Sequence, residues 1–240
     1  MTSLSIANSW YWFLLGAIIS YFIGCFNFAV LISHLKKADI RNIGSGNPGT
    51  MNMSRTFGWK IGIINFLCDA LKGALPVIIA HFVFGGFVFE GTAYNVADFA
   101  RFFFGFFVII GHVFPVTMGF KGGKGIASTM GIFWASLSCE VWWFVFLVLL
   151  VLIGEIVAIF ITEIGSMCSL LCISVLTIWQ TTMLYFRYSA NIANVYFIIT
   201  VAVMVAINLI SWLAHHENIV KIMAGEEHHT SIKKLVKKKK

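Results

Sequence analysis

Charge is scarce in this chain: Asp, Glu, Lys and Arg make up 11% of its 240 residues, and only 10 are acidic. Hydrophobic residues reach 59%, aromatics 16%, and the mean hydropathy is +0.89. A soluble domain cannot hide that much apolar surface. Uncharged runs of about 20 residues recur, enough to cross the roughly 30 Å hydrocarbon core, so the chain reads as an all-α polytopic membrane protein. Other absences narrow the chemistry. The five cysteines, Cys25, Cys68, Cys139, Cys168 and Cys172, lack zinc-type spacing and sit in apolar segments, as small core residues do. There is no G-x-S-x-G elbow and no obvious Cys–His pair, so no covalent nucleophile is expected. No Lys or Arg precedes the first apolar run, which therefore reads as a permanent helix and not a cleavable signal.

About seven transmembrane helices are expected, near 9–33, 58–85, 99–113, 124–137, 141–161, 164–186 and 194–213. Lys36, Lys37 and Arg41 follow the first, which puts its end in the cytoplasm and the N-terminus outside. Of the 17 Lys and Arg, Arg101 and Arg187 fall outside and Lys72 lies within a span; the rest are inside, with the C-terminus. The organisation is then one membrane domain, 1–214, with cytoplasmic motif loops near 35–57 and 112–125. A cytoplasmic amphipathic helix and polybasic tail, 215–240, follows. His215, Asn218, Ile219 and Ile222 repeat at helical spacing, turning His215 and Asn218 toward the loops. The final lysines suit anionic membrane lipid, and the adjacent His228 and His229 are read as no metal site.

The polar residues that remain are concentrated. The stretch GHVFPVTMGFKGGKGIASTMG, 111–131, places His112, Lys121 and Lys124 beside Gly119, Gly122, Gly123 and Gly125. Glycine permits close backbone approach, and lysines at a helix start favour an anion. It is not a nucleotide loop: Met118 stands where the first Walker glycine belongs, and no Ser or Thr follows the lysine. The second stretch, RNIGSGNPGTMNMSR, 41–55, satisfies G-x-G-x-x-G at Gly44, Gly46 and Gly49, but no apolar strand precedes it and Pro48 suits a loop. It offers Ser45, Gly46, Asn47, Asn52, Ser54 and Arg55 as hydrogen-bonding groups. In the second span Asp69 and Lys72 share a helix face and can pair; either the pair is structural or Asp69 orients Lys72 toward the anion site. His34 and Asp39 also show the H-x-x-x-x-D spacing of a large acyltransferase class, a spacing that arises easily by chance.

With these blocks in hand, the chain resembles the acyl-phosphate:glycerol-3-phosphate acyltransferases of bacterial phospholipid synthesis, the PlsY type. The resemblance rests on GSGNPGTMN with Arg55, DALKG, GHVFP with GFKGGKG, and HHENI with Gly225 and Glu227, in the family's order over nearly the whole chain. Two departures are visible: Thr50, Met51 and Asn52 stand where the family usually has Ala-Thr-Asn, and Lys221 where arginine is usual. The resemblance implies transfer of a fatty acyl group from acyl phosphate to the sn-1 hydroxyl of glycerol 3-phosphate, giving lysophosphatidic acid and phosphate. Lys121, Gly122, Gly123, Lys124 and Gly125 would hold glycerol 3-phosphate, while Ser45, Gly46, Asn47, Asn52 and Arg55 would cradle the acyl-phosphate head, with Lys72 adding charge. His215 or His112, with Asn218 beside it, or the substrate's own phosphate, would take the proton. No cofactor, metal or nucleic-acid partner is expected, and the oligomeric state is left open. A small-anion transporter is the rival reading; the polar motifs on one face and the lack of internal repeats speak against it.

Overall fold

The structure, a computed structural model, describes residues 1–227. The polybasic tail with His228 and His229 lies outside the described residues. In chain order the elements are β1 (Thr2–Leu4), α1 (Ile6–Cys25), α2 (Phe28–Leu35), α3 (Thr50–Phe57), α4 (Trp59–Phe84) and β2 (Phe87–Phe89). Then come α5 (Val96–Val113), α6 (Ile126–Glu140), α7 (Phe144–Thr162), α8 (Gly165–Tyr188), α9 (Val195–Ala214) and α10 (His216–Met223). The two strands pair in parallel, Thr2 opposite Phe87, and tie the chain start to the turn after α4.

Among the described residues, six segments are long and apolar enough to cross a membrane, the first running Ile6–Leu35 through both α1 and α2. The segment expected to span at 124–137 is α6, which has 15 residues. At 1.5 Å per residue that is about 22 Å, short of the hydrocarbon thickness. It is nonetheless an inner helix, with Thr129, Ile132, Phe133 and Leu137 fully buried. The first expected span is also not continuous: Phe26 and Asn27 are extended and interrupt it. Asn27 is the reason on the C-terminal side, since its side-chain oxygen accepts from Val30 N at 3.0 Å and starts a new helix.

In a membrane the helices gain little from apolar transfer against one another, so close backbone packing at small residues matters. A Cβ at Gly111 would fall 2.1 Å from the Tyr21 carbonyl oxygen, locking α5 against α1; at Gly131 it would fall 1.9 Å from that of Ala70, locking α6 against α4. The glycine loop before α6 is thereby held against the first two spans.

At the end of the bundle where β1 and β2 lie, α5, α6 and α8 are joined by buried charge. Arg101, 1% exposed, pairs with Asp98 and, at 3.0 Å, with Glu140. Arg187 completes the square, 3.0 Å from Asp98 and 2.9 Å from Glu140, and Tyr188 donates to Asp98 at 2.5 Å. Two cations and two carboxylates balance, and Arg101 Nη1 donates to the Ser136 carbonyl at 3.1 Å. Arg101 is therefore a buried structural tie, and Arg187, its side chain 37% exposed, closes the network from the surface. Replacing Arg101 with Met leaves two buried carboxylates facing one arginine; a loss of about 3 to 5 kcal/mol is expected, read as a lowered unfolding temperature in detergent.

Candidate active site

Three polar segments, 36–49, 114–125 and the region from His215 onward, follow helices that end on the side of the bundle away from the Arg101 cluster. The first is folded around Asn52. This residue, 2% exposed on the first turn of α3, donates to the carbonyls of Ile43 at 2.8 Å and Ile40 at 3.3 Å and accepts from Ser45 N at 3.2 Å. Gly44 adopts φ 63°, and a Cβ there would fall 2.3 Å from the Asn52 oxygen, so this turn requires glycine. Asn52 thus organises the loop from within, while Ser45 is exposed on it and Asn47 and Arg55 are half-buried. Asp39 is bound by Arg41 through a fork, Nη2 at 2.7 Å and Nε at 2.9 Å, which with the Arg41 backbone N–H holds its carboxyl down at about 2. Its oxygens serve Arg41, and the H-x-x-x-x-D spacing reflects no assembled His–Asp dyad.

The glycine loop folds back on the end of α5. Gly122 N donates to the Val113 carbonyl at 3.0 Å and Gly123 N to that of His112 at 3.1 Å. A Cβ at Gly123 would fall 2.3 Å from His112 Nε2. The two glycines were expected to offer N–H groups to an anion; instead those groups turn inward, and what their lack of a side chain permits is contact with the His112 ring. The N–H groups without helical acceptors are those at the start of α6, after Gly125, with Lys124 beside them and Lys121 exposed. His112 is 5% exposed, and its Nδ1 finds no hydrogen-bond partner among the described residues.

The third segment closes on this loop. Lys124 Nζ donates to Asn218 Oδ1, Asn218 Nδ2 donates to Glu227 at 2.8 Å, and Ser166 at the start of α8 donates to the same carboxylate oxygen at 2.8 Å. Burial lowers the Lys124 pKa, and Glu217 and Glu227 oppose that shift. Deeper in, Thr129 and Ser211 hydroxyls meet at 3.2 Å, joining α6 to α9. His215 is 6% exposed, and its Nδ1 lies 2.7 Å from the Ser211 carbonyl, so Nδ1 carries the proton and Nε2 the lone pair. Burial pushes its pKa down to about 4, with the Ser211 carbonyl opposing the shift and the Lys124 charge adding to it. The ring is neutral at pH 7, which is the form that accepts a proton.

Lys72 stands apart from these lysines. Its ammonium pairs with Asp69 at 2.9 Å and donates to the carbonyls of Phe26 at 2.8 Å and Gly24 at 3.4 Å. Sequence reasoning left out Asn27, Thr117 and Ser211, and gave Glu227 no role beyond the resemblance. Asn27 donates to the Pro48 carbonyl at 3.4 Å and Thr117 to that of Cys25 at 3.4 Å, so both motif loops are pinned to the interruption in the first span. The signal for Asn27 was available, an amide side chain inside a long apolar run.

Residues 14–225 match the family model described as glycerol-3-phosphate acyltransferase. Among curated proteins of that name, the one from Aquifex aeolicus is 33% identical over 211 residues, covering 88% of this chain and 95% of the relative. That from Bartonella henselae is 31% identical over 211 residues, covering 88% of each. A crystal structure of PlsY, an integral membrane glycerol 3-phosphate acyltransferase, in its glycerol 3-phosphate form aligns with a TM-score of 0.71 at 28% identity. Its lysophosphatidic acid form aligns at 0.70 and 27%; both alignments cover 93% of this chain and 98% of the solved one.

Because His215 is held neutral with its pKa lowered from 6.5 to about 4, its contribution to stability is complete above pH 6.5 and is lost as the pH falls from 6.5 toward 4. Replacing His215 with Asn should remove that part of the acid sensitivity, measured as the difference between wild-type and variant unfolding temperatures across that range. Replacing Asn52 with Ala, which strips three hydrogen bonds from the 40–45 turn, should cost about 1 to 3 kcal/mol and raise amide exchange there.

Proposed function

The chain belongs to the glycerol-3-phosphate acyltransferase family, and from that membership we propose that it moves a fatty acyl group from an acyl phosphate to the sn-1 hydroxyl of glycerol 3-phosphate. The products are lysophosphatidic acid and inorganic phosphate, the first acylation of phospholipid synthesis. The observation that carries this reading is that the loop before α6 brings a cation to the segment holding a neutral imidazole: Lys124 is tied to Asn218, three residues from His215. Both substrates are phosphate anions and repel each other, so a shared pocket needs cations and N–H donors. Lys121 and Lys124 with the start of α6 hold glycerol 3-phosphate against the Gly122, Gly123 and Gly125 turn. Ser45, Gly46, Asn47 and Arg55, on the loop shaped by Asn52, cradle the acyl-phosphate head.

The hydroxyl oxygen attacks the acyl carbonyl carbon, the bond from that carbon to the phosphate oxygen breaks, and phosphate leaves with the bonding pair. His215 Nε2 takes the hydroxyl proton; His112 and the departing phosphate are the other acceptors the site offers. Acyl phosphate is already activated, so no enzyme-bound acyl group is needed. In the same reading α6 makes a seventh crossing, shortened because it is enclosed by protein. The N-terminus lies outside, and the motif loops face the cytoplasm of a bacterial cell, where the excess of Lys and Arg belongs.

Purified protein in detergent, given acyl phosphate and labelled glycerol 3-phosphate with no CoA, should yield labelled lysophosphatidic acid. Absence of product together with label uptake into proteoliposomes would establish transport instead. Lys124→Ala should raise the KM for glycerol 3-phosphate, and an unchanged KM removes Lys124 from that role. His215→Ala should lower kcat by roughly 10² to 10⁴; a near-normal kcat excludes it as the base.

A further inference from the structure

The Lys72 ammonium forms an ion pair with Asp69 at 2.9 Å and donates to the Phe26 carbonyl at 2.8 Å and, at the long limit, to the Gly24 carbonyl at 3.4 Å. The side chain is 3% exposed, and the Phe28 ring lies 6.0 Å from the nitrogen. Asp69 is itself steadied by Asn65, whose amide donates to the second carboxylate oxygen at 3.1 Å. Enclosed in this way, the ammonium presents no open face to a substrate phosphate.

What the ammonium holds is a broken helix. Where α1 stops, its last carbonyls lose their helical partners and form the negative end of the helix dipole. Within a membrane such groups must be satisfied by protein, and a cation does so more strongly than a neutral donor. The same few residues carry the pins of both motif loops. Asn27 holds the Pro48 carbonyl, the Cys25 carbonyl accepts from Thr117, and Tyr21 OH donates to the Phe114 carbonyl at 3.0 Å while accepting from Val116 N at 3.1 Å.

We propose that Lys72 is a positioning residue: by capping the interruption between α1 and α2 it fixes the two motif loops relative to each other, and it touches neither substrate. The activity readout for this rests on the acyl-transfer reading; the structural readout does not.

Two variants test it, Lys72→Met and the double variant Asp69→Asn with Lys72→Met. The double variant removes both buried charges, so it serves if the single one fails to fold. Hydrogen exchange of the unliganded protein in detergent should show the amides of 41–49 and 114–122 exchanging at least about tenfold faster, with those around Arg101 unchanged. Turnover should fall in both variants and stay low in the double one. Three results would overturn the proposal: exchange unchanged in both loops, a defect confined to the KM for glycerol 3-phosphate, or full activity in the double variant. Wild-type protein that makes no lipid product would instead refute acyl transfer, and the exchange measurement would still decide the role of Lys72.

Discussion

A helix that stops within the protein leaves carbonyl oxygens that need donors, and the rest of this molecule is arranged around how those oxygens are satisfied. The lysine that meets them comes from a different helix, α4, and is balanced by Asp69 one turn earlier. The interruption can therefore persist, and its side chains are free to hold loops that are far apart in sequence. The other end of the bundle is built differently, with the Arg101, Asp98, Glu140 and Arg187 square joining helices directly. One end is fixed by charge within helices, and the other by charge at a break, which is where irregular backbone and chemistry coexist.

The contents of that second end fit what the proposed phosphate chemistry requires. Anions need positive charge that is not already neutralised, and Lys121 and Lys124 lie where the N–H groups of α6 begin. The proposed base must be unprotonated at working pH, and burial keeps His215 so against the opposing effect of the Ser211 carbonyl. Glycines in the same loop do a different job from the one their reputation suggests: they let the backbone lie on His112, which fixes the start of α6.

Much of this was legible in the sequence. The apolar runs marked the helices, the two glycine-rich stretches marked the loops, and the spacing from His215 to Asn218 marked α10. The break at Phe26 was not, because one asparagine barely alters the hydropathy of a long apolar segment and the partner that stabilises the break is 46 residues away in the chain. For the same reason the need of Lys72 for a partner could be read, but not that backbone carbonyls would share it with Asp69. Asn52 stood out as a polar side chain, yet whether an amide faces a ligand or its own loop is decided by three-dimensional contact. α6 starts two residues after and ends three residues beyond the expected 124–137, because the glycines at its start extend an apolar pattern without extending the helix.

The most direct test of the account is a structure with glycerol 3-phosphate bound. It predicts the phosphate within hydrogen-bonding distance of Lys124 and the first N–H groups of α6, the sn-1 hydroxyl directed at His215, and Lys72 still on the Phe26 carbonyl. A phosphate contacting Lys72, or bound at the Arg101 end of the bundle, would contradict it.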